Sequence, residues 1–229
     1  MLEGNARDAM SARSARQTVG HAVFAQPLFG PGMWVVDVGC GPSSITLGIG
    51  DGHRGSTVDF LRADARALPF ADASVDVIFA HAVFEQLKQP GAALAEFRRI
   101  LRPGGSLALS TSDWSRARLR PKTANVDAAL RGHYLLCRRA GGDPFAGRSI
   151  AAAVAAAGFA DVRTKTRYRA DTTYRALAAD VEARLVTALE TATTPDRDQL
   201  ASAARSAWSW ARSGDGDFTQ CWIELLATR

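Results

Sequence analysis

The sequence predicts an α/β fold, a largely parallel sheet with helices on both faces, and three stretches carry that expectation. In the first, Val35, Val36 and Val38 form a β-branched run that passes through Gly39, Cys40, Gly41 and Pro42 into Ser43 and Ser44, as a buried strand turning into a helix does. Glycine supplies the positive φ such a turn requires, and Ser43 or Ser44 can cap the helix. In the second, residues 74–82 read as an apolar strand after a turn at Asp72, Ala73 and Ser74. In the third, residues 91–101 place Ala92, Leu94, Phe97 and Leu101 at helical spacing, and the turn Pro103, Gly104, Gly105 leads into a strand over 106–110. A strand, a helix and a further strand in that order require a crossover and parallel pairing.

The first turn has a specific chemistry. Backbone N–H groups at the helix start point outward, where unpaired donors and the helix dipole stabilise a carboxylate or phosphate. A short glycine motif alone is weak support, and the downstream segments decide its meaning. Asp64-Ala65-Arg66-Ala67-Leu68-Pro69-Phe70 follows the turn, and Leu101-Arg102-Pro103-Gly104-Gly105 follows the second strand. In order and spacing these resemble the class I S-adenosylmethionine-dependent methyltransferases, in the branch that acts on small molecules. The resemblance is strong over residues 33–110 and weaker over 141–162, through Gly142-Asp143-Pro144-Phe145-Ala146-Gly147-Arg148 and Ala157-Gly158-Phe159.

The resemblance implies a Rossmann-like sheet, S-adenosylmethionine as methyl donor and S-adenosylhomocysteine as product. It implies that Asp37 supports the loop and the donor's amino group, that Gly39 and Gly41 permit close approach with Cys40 and Pro42 between and beside them, and that Asp64 with the Ala65 amide reads adenine. Open parallel sheets bind ligands at the carboxyl ends of their strands, which places His81 and Ala82 at the boundary of donor and acceptor. For His81 a structural hydrogen-bonding role stands beside the functional one.

The chain departs from the family between these motifs. Family members usually carry a second strand ending in an acidic residue, then a helix, then a third strand. Here Asp64 follows Asp37 by 27 positions, roughly 20 to 25 fewer than those elements need, so one strand-helix unit is expected to be missing. Thr57-Val58-Asp59-Phe60-Leu61 has strand character and aligns best with the third strand, with the second slot as the alternative. In the second slot it would let Asp64 meet the ribose, the role an acid beyond the glycine turn plays in dinucleotide folds; Asp59 is a poorer candidate. Ser43 stands where the family usually has a third glycine, and Gln86 where it often has histidine.

The remaining elements fill out four segments: an N-terminal helical cap over 1–32, a core over 33–170 that includes a covering segment 111–148, a helical insertion over 171–216, and a last strand over 217–229. Ala12, Ala15, Val19 and Val23 recur at helical spacing from about 8 to 24, with His21 in the same pattern. The helix after the glycine turn should end near Gly48. In the covering segment a helix is expected over 125–139, and Trp114, His133, Tyr134 and Phe145 are candidates to line an apolar substrate cavity. His133 and Tyr134, with His81, are the candidate acid-base groups. A helix over about 148–157 and a strand over 161–170 precede the insertion. A helix capped by Asp171 runs to Thr191, another begins at Pro195, and the last strand lies antiparallel to the one before it.

Composition excludes several classes. The chain of 229 residues has 47% hydrophobic and 22% charged residues, which fits a globular fold, and its charge is +5. No run is long and apolar enough to span a bilayer, no leader is expected from the polar start, and the cytoplasm is the default location. Cys40, Cys137 and Cys221 lie far apart without metal-ligand spacing, so no metal site and no disulfide are expected. The arginine groups 98/99/102, 116/118/120 and 131/138/139 read as solvated faces rather than a nucleic-acid surface, because acids are interspersed and no aromatic alternation accompanies them. The leading expectation is methyl transfer to a small, natural-product-like molecule. The alternatives are a methyltransferase-like protein that performs a cyclisation or rearrangement, a non-catalytic partner acting through the helical insertion, which could also form a homodimer, and a nucleic-acid-modifying enzyme.

Overall fold

The computed structural model describes residues 20–41, 44–51, 57–192 and 196–229. In chain order its elements are β1 (Val35–Val38), α1 (Ser44–Asp51), β2 (Val75–His81), α2 (Pro90–Ile100), β3 (Leu101–Ser112), β4 (Arg118–Arg120), α3 (Ala124–Arg139), α4 (Ile150–Ala156), β5 (Ala160–Arg169), α5 (Tyr174–Thr191), α6 (Asp196–Arg212) and β6 (Asp217–Thr228). The strands β1, β2 and β3 pair in parallel. The long strand β6 runs antiparallel between β3 and β5, and its first residues pair with β4. The two expected crossover helices, α2 and α4, are present, as is the antiparallel last strand.

Alternation along the strands builds two layers. On one face Ile78, Ala80, Leu107, Leu109, Ile223 and Leu225 pack against Leu94, Phe97 and Ile100 of α2 and Ile150 and Val154 of α4. On the other, Val77, Phe79 and Ala108 pack under Ala22, Ala25, Phe29 and Ile45. A third cluster joins α3, α5 and α6 through Val126, Leu130, Val181, Leu185, Leu200 and Trp210. Gly132 lets these helices approach: a Cβ built there would fall inside contact distance of the Ala203 Cβ and 2.9 Å from Leu185 Cδ2.

Several sequence expectations change. Residues 57–63 form no strand, and Phe60 and Leu61 are 56% and 54% exposed. Val58 and Phe60 alternate as a strand would, but without a neighbouring strand and a face to bury, the pattern has nothing to stabilise it. Among the described residues β1 is therefore the edge of the sheet, which is shorter on this side by the strand expected at Val58 as well. Residues 20–25 are turns leading to a 3-10 turn at Gln26–Leu28, and the earlier part of the expected N-terminal helix lies outside the described residues. Helix α1 continues past Gly48 to Asp51. In α2 the buried set is Ala93, Leu94, Phe97 and Ile100, with Ala92 exposed. Helix α5 is capped by Thr173, whose Oγ1 accepts from Ala176 N at 3.1 Å, and not by Asp171, which lies too far before the first turn.

Candidate functional site

The parallel pairing of β1 with β2 sets Asp37 beside Phe79 and Val38 beside Ala80, so the glycine turn and the end of β2 meet at the carboxyl edge of the sheet. Gly39 has φ +76, and a Cβ there would collide with Val83 Cγ2, which shows how closely the loop after β2 packs on the turn. Gly41 has φ +52, and a Cβ there would meet nothing nearer than 3.9 Å. Its backbone is open to close approach. Asp37 accepts a 2.5 Å hydrogen bond from Thr46 Oγ1 of α1, while burial raises its pKa against that bond. Ala82 leaves β2 with φ +56, a conformation that costs an alanine on the order of 1 kcal/mol and that clusters at functional sites. Its N–H bonds Ser110 O and its carbonyl accepts from Gln86 Nε2, which holds the bend. Thus Asp37, Gly39, Cys40, Gly41, His81 and Ala82 lie at the same end of the paired strands β1 and β2. Pro42 lies outside the described residues.

Asp64 does not join them in the expected manner. It sits on an exposed turn closed by Ala67 N to Asp64 O, and Arg66 grips its carboxylate through N at 2.9 Å, Nε at 3.0 Å and Nη2 at 2.7 Å. Those bonds hold the Asp64 carboxyl down at about 2. Ala65 packs its methyl against the main core. Behind this turn Arg99 donates to Leu68 O, Phe70 O and both oxygens of Glu96, so the loop is fixed to α2.

Beside the bend, three rings stack across the sheet end. His81 lies 4.4 Å from His21 and 4.6 Å from Trp222, centroid to centroid. His21 Nε2 is 3.3 Å from Asp171 Oδ2. Burial lowers the pKa of both histidines, that of His81 to about 3, with His21 and Arg169 adding to the effect. The Nδ1 atoms of both rings and Nε1 of Trp222 are buried without a hydrogen-bond partner. Next to them, Trp114, Asp171, Leu177, Phe218, Gln220 and Trp222 line a cavity of about 180 Å³.

The four expected aromatic residues form one chain leading from that cavity. Trp114 lies 5.1 Å from His133 and 6.0 Å from Tyr134, and Tyr134 lies 5.0 Å from Phe145. His133 is buried, with Nε2 3.7 Å from Cys137 Sγ, and burial pulls it to about 4; burial also pushes Tyr134 up to about 12. Gln220 and Trp222 were absent from the sequence expectation, where His21 figured only in a helical pattern and Asp171 only as a helix cap. Alternation in β6 places Gln220 and Trp222 on one face, but only the pairing of β6 with β3 brings that face to His81.

A family profile described as a methyltransferase domain matches residues 46–109. The match runs from the helix after the glycine turn to β3, so this part of the chain is similar to methyltransferase domains. An uncharacterized methyltransferase of Mycobacterium marinum is 36% identical over 95 residues, 42% of this chain and 37% of that protein. A malonyl-[acyl-carrier protein] O-methyltransferase of Methylococcus capsulatus is 36% identical over 105 residues, 45% of this chain and 35% of that protein. The chain thus spans a little over a third of the length of these relatives. Among solved structures, the YcgJ protein of Bacillus subtilis superposes with a TM-score of 0.58 at 16% identity, covering 93% of this chain and 98% of that one. The [4+2]-cyclase SpnF superposes with a TM-score of 0.54 at 18% identity, covering 95% and 80%. This methyltransferase fold is therefore shared widely, including by a protein named for cyclisation. The turn at 39–41 and the Asp37 carboxylate suit the amino-acid end of the donor that the resemblance implies, whereas Asp64 is held by Arg66 and Asp59 lies exposed in the strandless stretch 57–63.

Proposed function

We propose that the protein transfers a methyl group from S-adenosylmethionine to a small, largely apolar acceptor held between Trp114 and Trp222. The observation that carries this reading is the aromatic cavity whose wall residue Trp222 stands against His81, the last residue of β2. Asp37, Gly39, Gly41 and Ala82 would hold the donor, which when bound supplies an electrophilic methyl on a sulfonium. The chain's own contribution is chiefly orientation, which can supply roughly 7–11 kcal/mol of a barrier. Trp114, Phe218 and Trp222 clamp the faces of the acceptor and keep water out.

His81, neutral at ordinary pH because its pKa is about 3, offers a lone pair to an acceptor hydroxyl or amine. It takes the proton only as the acceptor atom becomes strongly acidic during bond formation. Asp171 orients His21 through Nε2, and His21 fixes the face of His81. His133 and Tyr134 back the cavity wall from behind, through their ring contacts with Trp114. The segments 111–148 and 171–216 together roof the site. No described helix is long and apolar enough to cross a membrane.

A second reading, cyclisation or rearrangement without methyl transfer, is favoured by one observation: Asp64, the carboxylate that the resemblance puts at the donor, is engaged by Arg66. Titration calorimetry with S-adenosylmethionine and S-adenosylhomocysteine separates the two. Methyl transfer requires micromolar binding of both, lost in Asp37→Ala. Absence of binding up to millimolar ligand would overturn it and leave the second reading.

A further inference from the structure

A second cavity lies on the other side of β6. It measures about 580 Å³ and is lined by Asp113, Arg116, Arg148, Thr164, Thr166 and Ile223, among others. Trp222 faces the acceptor cavity and Ile223 faces this one, so the two are separated by the thickness of the sheet. Asp113 and Trp114, adjacent in sequence, likewise line different cavities.

The polar groups here are arranged as a site rather than as a surface. Asp113 is 1% exposed. Its Oδ1 accepts from Ser115 N at 3.0 Å and Ser115 Oγ at 2.5 Å, while its Oδ2 is buried without a partner. An unsatisfied buried carboxylate oxygen is costly, and a donor supplied by a ligand would remove that cost. On the lips stand Arg116, which reaches Thr166 Oγ1 at 3.4 Å, and Arg148, at the end of the 3-10 turn before α4. Across the sheet Arg167 and Arg169 are paired with Glu224, whereas among the described residues neither Arg116 nor Arg148 has a carboxylate within ion-pair distance. Two unpaired guanidinium groups and two threonine hydroxyls converge on the mouth, and a single acceptor waits at the floor. Gly147 makes the floor tight: a Cβ there would lie 2.9 Å from both Asp113 Cβ and Ile223 Cγ1.

We propose that this cavity is a second ligand site, separate from the methyl-transfer site, for a small phosphate or carboxylate that also carries a hydroxyl or amino group. Arg116 and Arg148 take the anion, in the forked geometry guanidinium groups provide. Asp113 Oδ2 accepts from the hydroxyl or ammonium. The ligand thereby fixes the turn at Trp114–Arg116, whose first residue is a wall of the acceptor cavity.

The test is titration calorimetry of the full chain with glycerol 3-phosphate, glycerate and inorganic phosphate, each with and without saturating S-adenosylhomocysteine. Saturable binding of glycerol 3-phosphate or glycerate, tighter than inorganic phosphate, is expected, with the better of the two identifying the anion. Arg116→Ala with Arg148→Ala should weaken it about ten-fold or more, since both contacts are charge-assisted. Asp113→Asn should bring glycerol 3-phosphate down to the affinity of inorganic phosphate. The paired arginine variant changes exposed side chains, so it also serves if Asp113→Asn fails to fold. The proposal is overturned if no probe binds up to about 10 mM, if inorganic phosphate binds as well as the others, if the arginine variant binds unchanged, or if S-adenosylhomocysteine displaces the probe.

Discussion

His81 and His133 are imidazoles that burial keeps neutral, His81 at about 3 and His133 at about 4. An unfolded histidine titrates near 6.5. Above that pH neither ring contributes a pH dependence, because both states are neutral. Between about 6.5 and 4 the unfolded chain binds protons that the folded chain refuses, so folding stability falls by roughly 1.4 kcal/mol per pH unit for each ring. Below 4 only His81 continues the decline, which levels near 3. Glu85 and Asp37 oppose it, since burial raises both and the folded state takes up their protons first. The urea midpoint should therefore drop between about pH 7 and pH 5. His21, also lowered by burial, adds to the decline; His133→Leu should reduce the slope, and an unchanged slope in that variant would sink the account.

At the level of elements, packing and propensity can disagree, and magnitudes decide. Gly132 in the interior of α3 costs about 1 kcal/mol of helix propensity relative to alanine. An added Cβ there meets Ala203 and Leu185 of the facing helices, and overpacking of this kind costs typically 1–3 kcal/mol. Gly132→Ala should thus be net destabilising in chemical denaturation, and a gain in stability would show that α6 can shift away. Arg99 poses a different case: it ties two loop carbonyls and Glu96 together from α2. Arg99→Ala should loosen the loop that it ties to α2, with a modest loss of stability because the side chain is partly exposed. Amide exchange should quicken over residues 64–72, and uniform exchange throughout the chain would contradict the local role. The elements most legible in the sequence were those whose apolar period matched a buried face, such as β2, α2 and β3. The misreading at Val58 and Phe60 came from a local pattern without a partner strand. Trp222 and Asp171 were illegible for the same reason in reverse, because their neighbours His81 and His21 come from distant parts of the chain.

Across the whole molecule, the proposed donor end and the proposed acceptor end are built from separate stretches. The former uses β1, α1 and the bend after β2; the latter uses the covering segment, the start of α5 and β6. Trp222→Ala should therefore lower kcat/KM by about ten- to hundred-fold while leaving S-adenosylhomocysteine affinity within about two-fold, the pattern of a lost acceptor contact. A parallel loss of both would mean that the two ends are not independent. The place of β6 between β3 and β5 has a consequence for synthesis. A chain emerging from the ribosome makes the central member of its own sheet after every other strand, so β3 and β5 cannot meet their shared partner until residue 228 has cleared the exit tunnel. Throughout that interval the pairing edge around Leu107 and Leu109 is open to other chains, and a pause in translation between β5 and β6 prolongs that exposure.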